Sequence, residues 1–271
     1  MLKTLIIDIN NYNEGDGISR FVNNTKFKVI YSLSDFEGCK DEAFLITDSR
    51  ESADAAVKRG IGFSIYLNNT NREDSFKDCL YCLESFIDLE DNTIYKIYQR
   101  SLGKPWTIFE NEMYIVREMT LDDVDKLYEL YSDEEVKKYT DDLYENKEQE
   151  IEHTKNYIEY QYRFFEYGFW LVFDKNTNEL IGRCGLSDRE GFDATEIGFV
   201  FARKCWGRGI AFNICSEIIS YAKDYLCIDR IISFTRKENV RAIKLLERLG
   251  FIFLCEELLG SVPHLKYEKK L

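Results

Sequence analysis

A chain of 271 residues with 45% hydrophobic and 15% aromatic content can hold one large domain or two modest ones around real apolar cores, as a soluble globular protein does. Its net charge of −13 disfavours nonspecific nucleic-acid binding by the chain as a whole. No apolar run approaches the roughly 18 residues of a membrane span, and the Leu5–Asp8 run is too short and acidic for a signal peptide, so the expected location is cytoplasmic with no membrane partner.

The first hundred residues carry short apolar runs at Thr4–Asp8, Phe27–Tyr31, Ala43–Thr47 and Gly62–Tyr66, with helical patterns around Arg50–Lys58 and Phe76–Ile87. This alternation predicts a small Rossmann-like parallel α/β domain. Cys79 and Cys82 fall inside the second helical pattern, without another pair at zinc spacing and without the helix-start context of a redox motif, so they are expected to pack in a core. Cys39, Cys184, Cys205, Cys215, Cys227 and Cys255 are scattered through apolar segments of a long chain and are likewise expected as reduced, packed thiols. With only His153 and His264 present, a histidine-rich metal site is excluded and no metal is expected.

The segment Ile46-Thr-Asp-Ser-Arg-Glu-Ser52 with Ala55–Gly60 resembles the late Asp-Ser segment and following helix of haloacid-dehalogenase-like folds. The phosphoryl chemistry of that family needs Asp-x-Asp-x-Thr after the first strand, and here Asp8-Ile-Asn-Asn-Tyr12 puts Asn10 at the second aspartate. The resemblance therefore implies a degenerate domain with a binding or scaffolding role. Gly103-Lys-Pro-Trp106 then breaks the pattern, which places the domains at 1–108 and 109–271.

Between Ser132 and Glu166 there are eleven Asp/Glu against five Lys/Arg, a composition suited to a cationic acceptor or to an ordinary solvated face. Tyr157, Tyr160, Tyr162, Phe164, Phe165 and Tyr167 follow on one helical stretch, which fits either an acceptor pocket or an amphipathic core helix. From Arg203 to Arg248 the balance reverses, with ten Lys/Arg against five Asp/Glu, as a phosphate-rich ligand would favour.

That basic region opens with a strand-like run at Phe199–Phe201, a turn Trp206-Gly-Arg-Gly209, and a helix over Phe212–Tyr225. Gly207 and Gly209 permit close backbone approach, Arg208 adds a cation, and the first amides of the helix lack intrahelical partners, so the turn is suited to pyrophosphate. A dinucleotide fingerprint would need a small residue at Phe212, and a P-loop would need Gly-Lys-Ser/Thr; neither is present. Arg230–Phe234 reads as a buried strand, Val240–Leu249 as a helix stopped by Gly250, and Phe251–Leu254 as a further strand.

Trp206-Gly-Arg-Gly209-Ile-Ala211, Asn239-Val-Arg-Ala242 and Leu249-Gly-Phe251 together resemble the GNAT superfamily of acyl-CoA-dependent N-acyltransferases, and the Trp-Gly-x-Gly form is similar to its ribosomal-protein N-acetyltransferase branch. Thr195–Phe199 and Tyr114–Asp123 agree with that branch, so the resemblance covers about Met113 to Leu271. It implies an α/β fold, a mixed sheet flanked by helices, with acetyl-CoA as acyl donor and a primary amine as acceptor: a small polyamine-like or antibiotic amine, or a protein N-terminus. It further implies that Phe199, Val200 and Phe201 pair with the pantetheine arm, that Gly207, Arg208, Gly209, Ile210 and Ala211 hold pyrophosphate beside Trp206, and that Asn239 bonds the arm. Glu196 is the candidate general base. Leu246 stands where many members carry a tyrosine acid, which leaves Ser187, a tyrosine of 157–167, or unassisted thiolate departure. A catalytically lapsed CoA-binding sensor is the alternative, and a homodimer is compatible with either.

Overall fold

The computed structural model describes residues 1–76, 79–140 and 143–271. Lys77 and Asp78 of the expected helix, and Asp141 and Asp142 of the acidic segment, lie outside the described residues. The chain forms two compact units, Met1–Trp106 and Thr107–Leu271, so the boundary read at 108/109 falls within a strand of the second unit.

In the first unit β1 (Thr4–Asp8), β2 (Lys28–Ile30), β3 (Ala43–Thr47), β4 (Gly62–Tyr66) and β5 (Cys82–Leu83) form a sheet in the order β2-β1-β3-β4-β5, parallel throughout. Every residue of β3 and β4 is buried, as continuous apolar runs require when both faces of a parallel sheet are covered. Alternation along the strands divides the core. Leu5, Ile7, Phe44 and Ile46 pack with Phe21 of α1 (Ile18–Asn24) and with Ile94, Ile97 and Tyr98 of α3 (Asp91–Ser101). Ile6, Leu45 and Ile65 pack on the other face with Ala53 and Ala56 of α2 (Arg50–Arg59).

The helix expected over Phe76–Ile87 is not formed: Cys82–Leu83 is a strand paired with Ile65–Tyr66. Phe76, Cys79, Leu80, Leu83 and Ile87 have helical spacing, yet pairing with an open sheet edge prevails over the period. The expectation of packed thiols also fails in part, since Cys39, Cys82, Cys227 and Cys255 are exposed and Cys79 is half-buried.

At the carboxyl end of this sheet, the Asp48 carboxylate accepts from the amides of Asn10 and Asn11 at 2.9 Å each and from Asn68 Nδ2 at 3.0 Å. Asp8 accepts from Ser52 Oγ at 2.9 Å. Asn10 thus helps tie its loop to Asp48.

The second unit is built on eight strands: β6 (Thr107–Glu110), β7 (Tyr114–Arg117), β8 (Phe169–Asp174), β9 (Leu180–Asp188), β10 (Thr195–Phe201), β11 (Arg230–Thr235), β12 (Ile252–Leu259) and β13 (Val262–Lys270). Their order is β12-β13-β11-β10-β9-β8-β7-β6, and among the described residues only β10 and β11 pair in parallel. After β7 come α4 (Val124–Tyr131), α5 (Glu134–Lys137) and α6 (Lys147–Asn156), the last running into a π-helical segment, Tyr157–Phe165. α7 (Ile210–Asp224) follows β10, and α8 (Val240–Arg248) follows β11. The result is a mixed sheet flanked by helices around one continuous core.

The entry to α4 is secured locally. Thr120 and Asp123 form a capping box, and Arg117 grips the Asp123 carboxylate with two bonds of 2.8 Å. The aromatic stretch at 157–167 is not a uniformly packed helix: Tyr162 is buried, whereas Tyr160 and Phe164 are 66% and 80% exposed. Tyr157 accepts from the Phe169 amide at 2.7 Å, and Tyr162 donates to the Phe169 carbonyl at 2.5 Å, so these two rings pin the start of β8.

Candidate active site

The parallel ladder between β10 and β11 holds only Thr195↔Ile231 and Glu196↔Ile232. Beyond it β10 runs on to Phe201 paired with β9 alone, and Ser233 Oγ donates to the Ile197 carbonyl at 2.9 Å where the ladder stops. Backbone polar groups on the side of β10 facing away from β9 are therefore left for another partner. A cleft of about 330 Å³ opens there, lined by Phe199, Val200, Phe201, Trp206, Gly207, Gly209, Ala211 and Asn239.

Gly207 and Gly209 adopt φ of 70° and 78°, in the left-handed region that favours glycine. A Cβ at either would meet no protein atom within 4 Å, so the requirement is conformational and the space beyond the turn is open. Gly209 is also the N-cap of α7, and the first intrahelical bond runs from Asn213 N to Gly209 O at 3.1 Å. The amides of Gly209 to Phe212 consequently lie at the positive end of a 15-residue helix, an arrangement that binds anions.

The sequence-derived site residues separate into two groups. Eight share the cleft wall: Phe199, Val200, Phe201, Trp206, Gly207, Gly209, Ala211 and Asn239. Trp206 donates from Nε1 to the Phe201 carbonyl at 2.9 Å, which ties the turn to the strand end. Asn239 Oδ1 accepts from Ala242 N at 3.2 Å as the N-cap of α8, so what it can offer the cleft is its Nδ2 amide. Arg208, Ile210 and Glu196 are not part of that wall. Arg208 lies outward with Nη1 on the Lys204 carbonyl at 3.4 Å, and the Ile210 side chain enters the core, leaving its amide as its contribution. Glu196 is 7% exposed and its Oε2 is held by Arg189 Nε at 2.5 Å.

Leu246 is fully buried and carries no proton to donate. Among the tyrosines weighed as acids, burial pushes the Tyr157 and Tyr162 phenols up. Tyr167, bonded to Asp188 at 2.5 Å, is pushed up to about 12 by burial and by that carboxylate.

Two walls were missed from sequence. Arg241, Lys244 and Arg248 project from α8, with the Arg241 guanidinium 3.7 Å from the centre of the Trp206 ring and that of Arg248 4.1 Å from Phe212. Their spacing of three and four residues was a readable signal of one helix face. The opposite wall comes from Glu135, Val136, Tyr139 and Thr140; Tyr139 donates to the Glu238 carbonyl at 3.2 Å, and Glu135 pairs with Arg241 at 3.5 Å. Those contacts span about a hundred residues of sequence, and no local pattern announces them.

Residues 114–252 match the acetyltransferase (GNAT) domain family. An uncharacterized N-acetyltransferase p20 of Bacillus licheniformis is 33% identical over 147 residues, spanning 52% of this chain and 79% of that protein. Among solved structures, the ribosomal-protein-S5-alanine acetyltransferase of Vibrio fischeri superposes with a TM-score of 0.52 at 20% identity, over 60% of this chain and 95% of that one. The spermidine N-acetyltransferase of Vibrio cholerae, solved with CoA and spermine, superposes with a TM-score of 0.50 at 18% identity, over 59% and 96%. The chain belongs to the GNAT acetyltransferase family. It is an N-acetyltransferase by family.

Proposed function

We propose that residues 107–271 transfer the acetyl group of acetyl-CoA to a primary amine carried by a small polycation, an antibiotic-like compound or a protein N-terminus. The observation that carries this reading is the parting of β10 from β11 after Glu196, which leaves strand backbone facing a cleft that ends on the Gly207–Gly209 turn and the α7 N-terminus. The names of the two solved relatives point to both kinds of acceptor, a polyamine and a protein alanine.

Acetyl-CoA supplies an acetyl group already activated as a thioester, so the protein's task is chiefly placement. Backbone groups of Phe199–Phe201 pair with the pantetheine arm, and Asn239 Nδ2 donates to it farther along. The amides from Gly207 to Ala211 receive the pyrophosphate, with Arg208 adding charge from outside and Arg241, Lys244 and Arg248 from α8. The neutral amine attacks the thioester carbonyl, a C–N bond forms, and the C–S bond breaks with departure of the CoA thiolate. The amine's proton passes to Glu196. Its pairing with Arg189 and its place outside the cleft wall favour transfer through water over direct contact.

A second reading, a CoA-binding sensor whose chemistry has lapsed, is favoured by the apolar, buried Leu246 and by that same ion pair. Thiol release from acetyl-CoA over a panel of polyamines, aminoglycosides and N-terminal peptides separates the two. Turnover is expected with a cationic amine and should fall with salt at subsaturating acceptor, because screening weakens attraction to the acidic segment from Ser132 to Glu166. Binding of acetyl-CoA without turnover across the panel would favour the sensor.

A further inference from the structure

We propose that Cys79 and Cys82, in the first unit, form a dithiol site that exchanges with small-molecule disulfides of the glutathione disulfide class. The two Sγ atoms lie 3.9 Å apart at the entry to β5, the edge strand of the parallel sheet, with Cys82 exposed and Cys79 half-buried. Cys184 and Cys215 are as close, at 3.7 Å, but both are fully buried and beyond the reach of a reagent. Among the described residues, only Cys79 and Cys82 combine a second thiol in reach with access to solvent.

The segment between them is anchored. Tyr81 stacks on Trp106 and is hydrogen-bonded by Arg100, while the Tyr81 carbonyl accepts from Ile65 N at 3.3 Å. With that backbone held, side-chain rotation is the motion available to shorten the sulfur separation to a bond of about 2.05 Å. The two thiols also differ in acidity. The hydrogen bond with Cys82 brings the Cys79 thiol down to about 7, against desolvation. The same bond pushes Cys82 up. Cys79 is therefore the attacking thiolate and Cys82 the resolving thiol.

The exchange balances without another reactant. Cys79 thiolate attacks one sulfur of glutathione disulfide, that S–S bond breaks, and a glutathione thiolate leaves. Cys82 gives its proton to the departed thiolate and attacks the Cys79 sulfur, expelling the second glutathione thiolate as the Cys79–Cys82 bond forms. The protein dithiol is oxidised by two electrons and the small disulfide is reduced to two thiols.

The test uses the full wild-type chain, incubated with mixtures of reduced glutathione and glutathione disulfide, quenched with acid and peptide-mapped by mass spectrometry. The expected result is the loss of two of the eight thiols as an internal Cys79–Cys82 disulfide, at a glutathione ratio that leaves exposed Cys39, Cys227 and Cys255 reduced. In Cys82→Ser the intermediate should accumulate as a glutathione adduct on Cys79, whereas Cys79→Ser should show at least a severalfold slower adduct formation at Cys82. Wild-type protein in which Cys79 and Cys82 stay as thiols, or carry separate glutathione adducts, while the other exposed cysteines react would overturn the assignment.

Discussion

Gly209 combines a left-handed backbone with the N-cap of α7, so one substitution tests the anion site without touching the core. An L-residue in that conformation costs about 1–2 kcal/mol, and its side chain would project into the open space beyond the turn. Gly209→Val should remain folded and lose the thermal shift produced by acetyl-CoA, a ligand expected to stabilise wild type by about 2.7 kcal/mol at about one hundred times Kd. A shift equal to wild type would remove the turn from cofactor binding. Glu196→Gln keeps the shape of the side chain and removes the base; kcat should fall about a hundredfold or more, with acetyl-CoA affinity almost unchanged in equilibrium titration. Full activity in that variant would leave positioning as the main source of rate. Asp123 tests the α4 entry. Burial alone would raise its carboxyl, but the bonds from Arg117 and Thr120 outweigh it and hold the group below the usual range. A depressed carboxylate contributes stability that is fully present above its unfolded value of about 3.9 and is lost as pH falls through the lower folded value. Asp123→Asn should therefore cost about 1–3 kcal/mol near neutrality, and urea midpoints should show the gap to wild type narrowing at about pH 3. A constant gap at both pH values would show that packing, and not charge, is what the substitution removes.

At the scale of elements, α8 and the segment around α5 form the cleft's two far walls, and Arg241 joins them by lying over Trp206 while pairing with Glu135. Arg241→Ala should weaken acetyl-CoA binding by roughly tenfold, the equivalent of about 1.4 kcal/mol, with a shallower salt dependence measured by calorimetric titration. Unchanged affinity would place the phosphates elsewhere along the cleft. The same scale explains the misread at Phe76–Ile87. Apolar residues at three- and four-residue spacing satisfy a helix, but a two-residue pairing at an open sheet edge draws the segment into an extended form. That difference placed Cys82 exposed on the edge strand β5, with Cys79 half-buried just before it.

At the scale of the whole molecule, the cleft draws its lining, among the described residues, from the second unit. Residues 107–271 expressed alone should fold and bind acetyl-CoA with the affinity of the full chain, checked by circular dichroism and calorimetry. A folded fragment that fails to bind would show that the first unit completes the cofactor site. By itself the sequence determined what depends on neighbours along the chain: the parallel α/β alternation before residue 100, the glycine turn between Trp206 and Ile210, the amphipathic α7, and α8 with its stop at Gly250. Each rests on local backbone preference or on a period readable within one element. Tertiary structure alone decided that β10 leaves β11 after two pairs, that Glu196 is held by Arg189, and that Glu135 and Tyr139 close the cleft. It also decided which faces of the 157–165 segment meet solvent. These are contacts between residues distant in sequence, set by how strands twist and helices pack, and no local pattern in the chain encodes them.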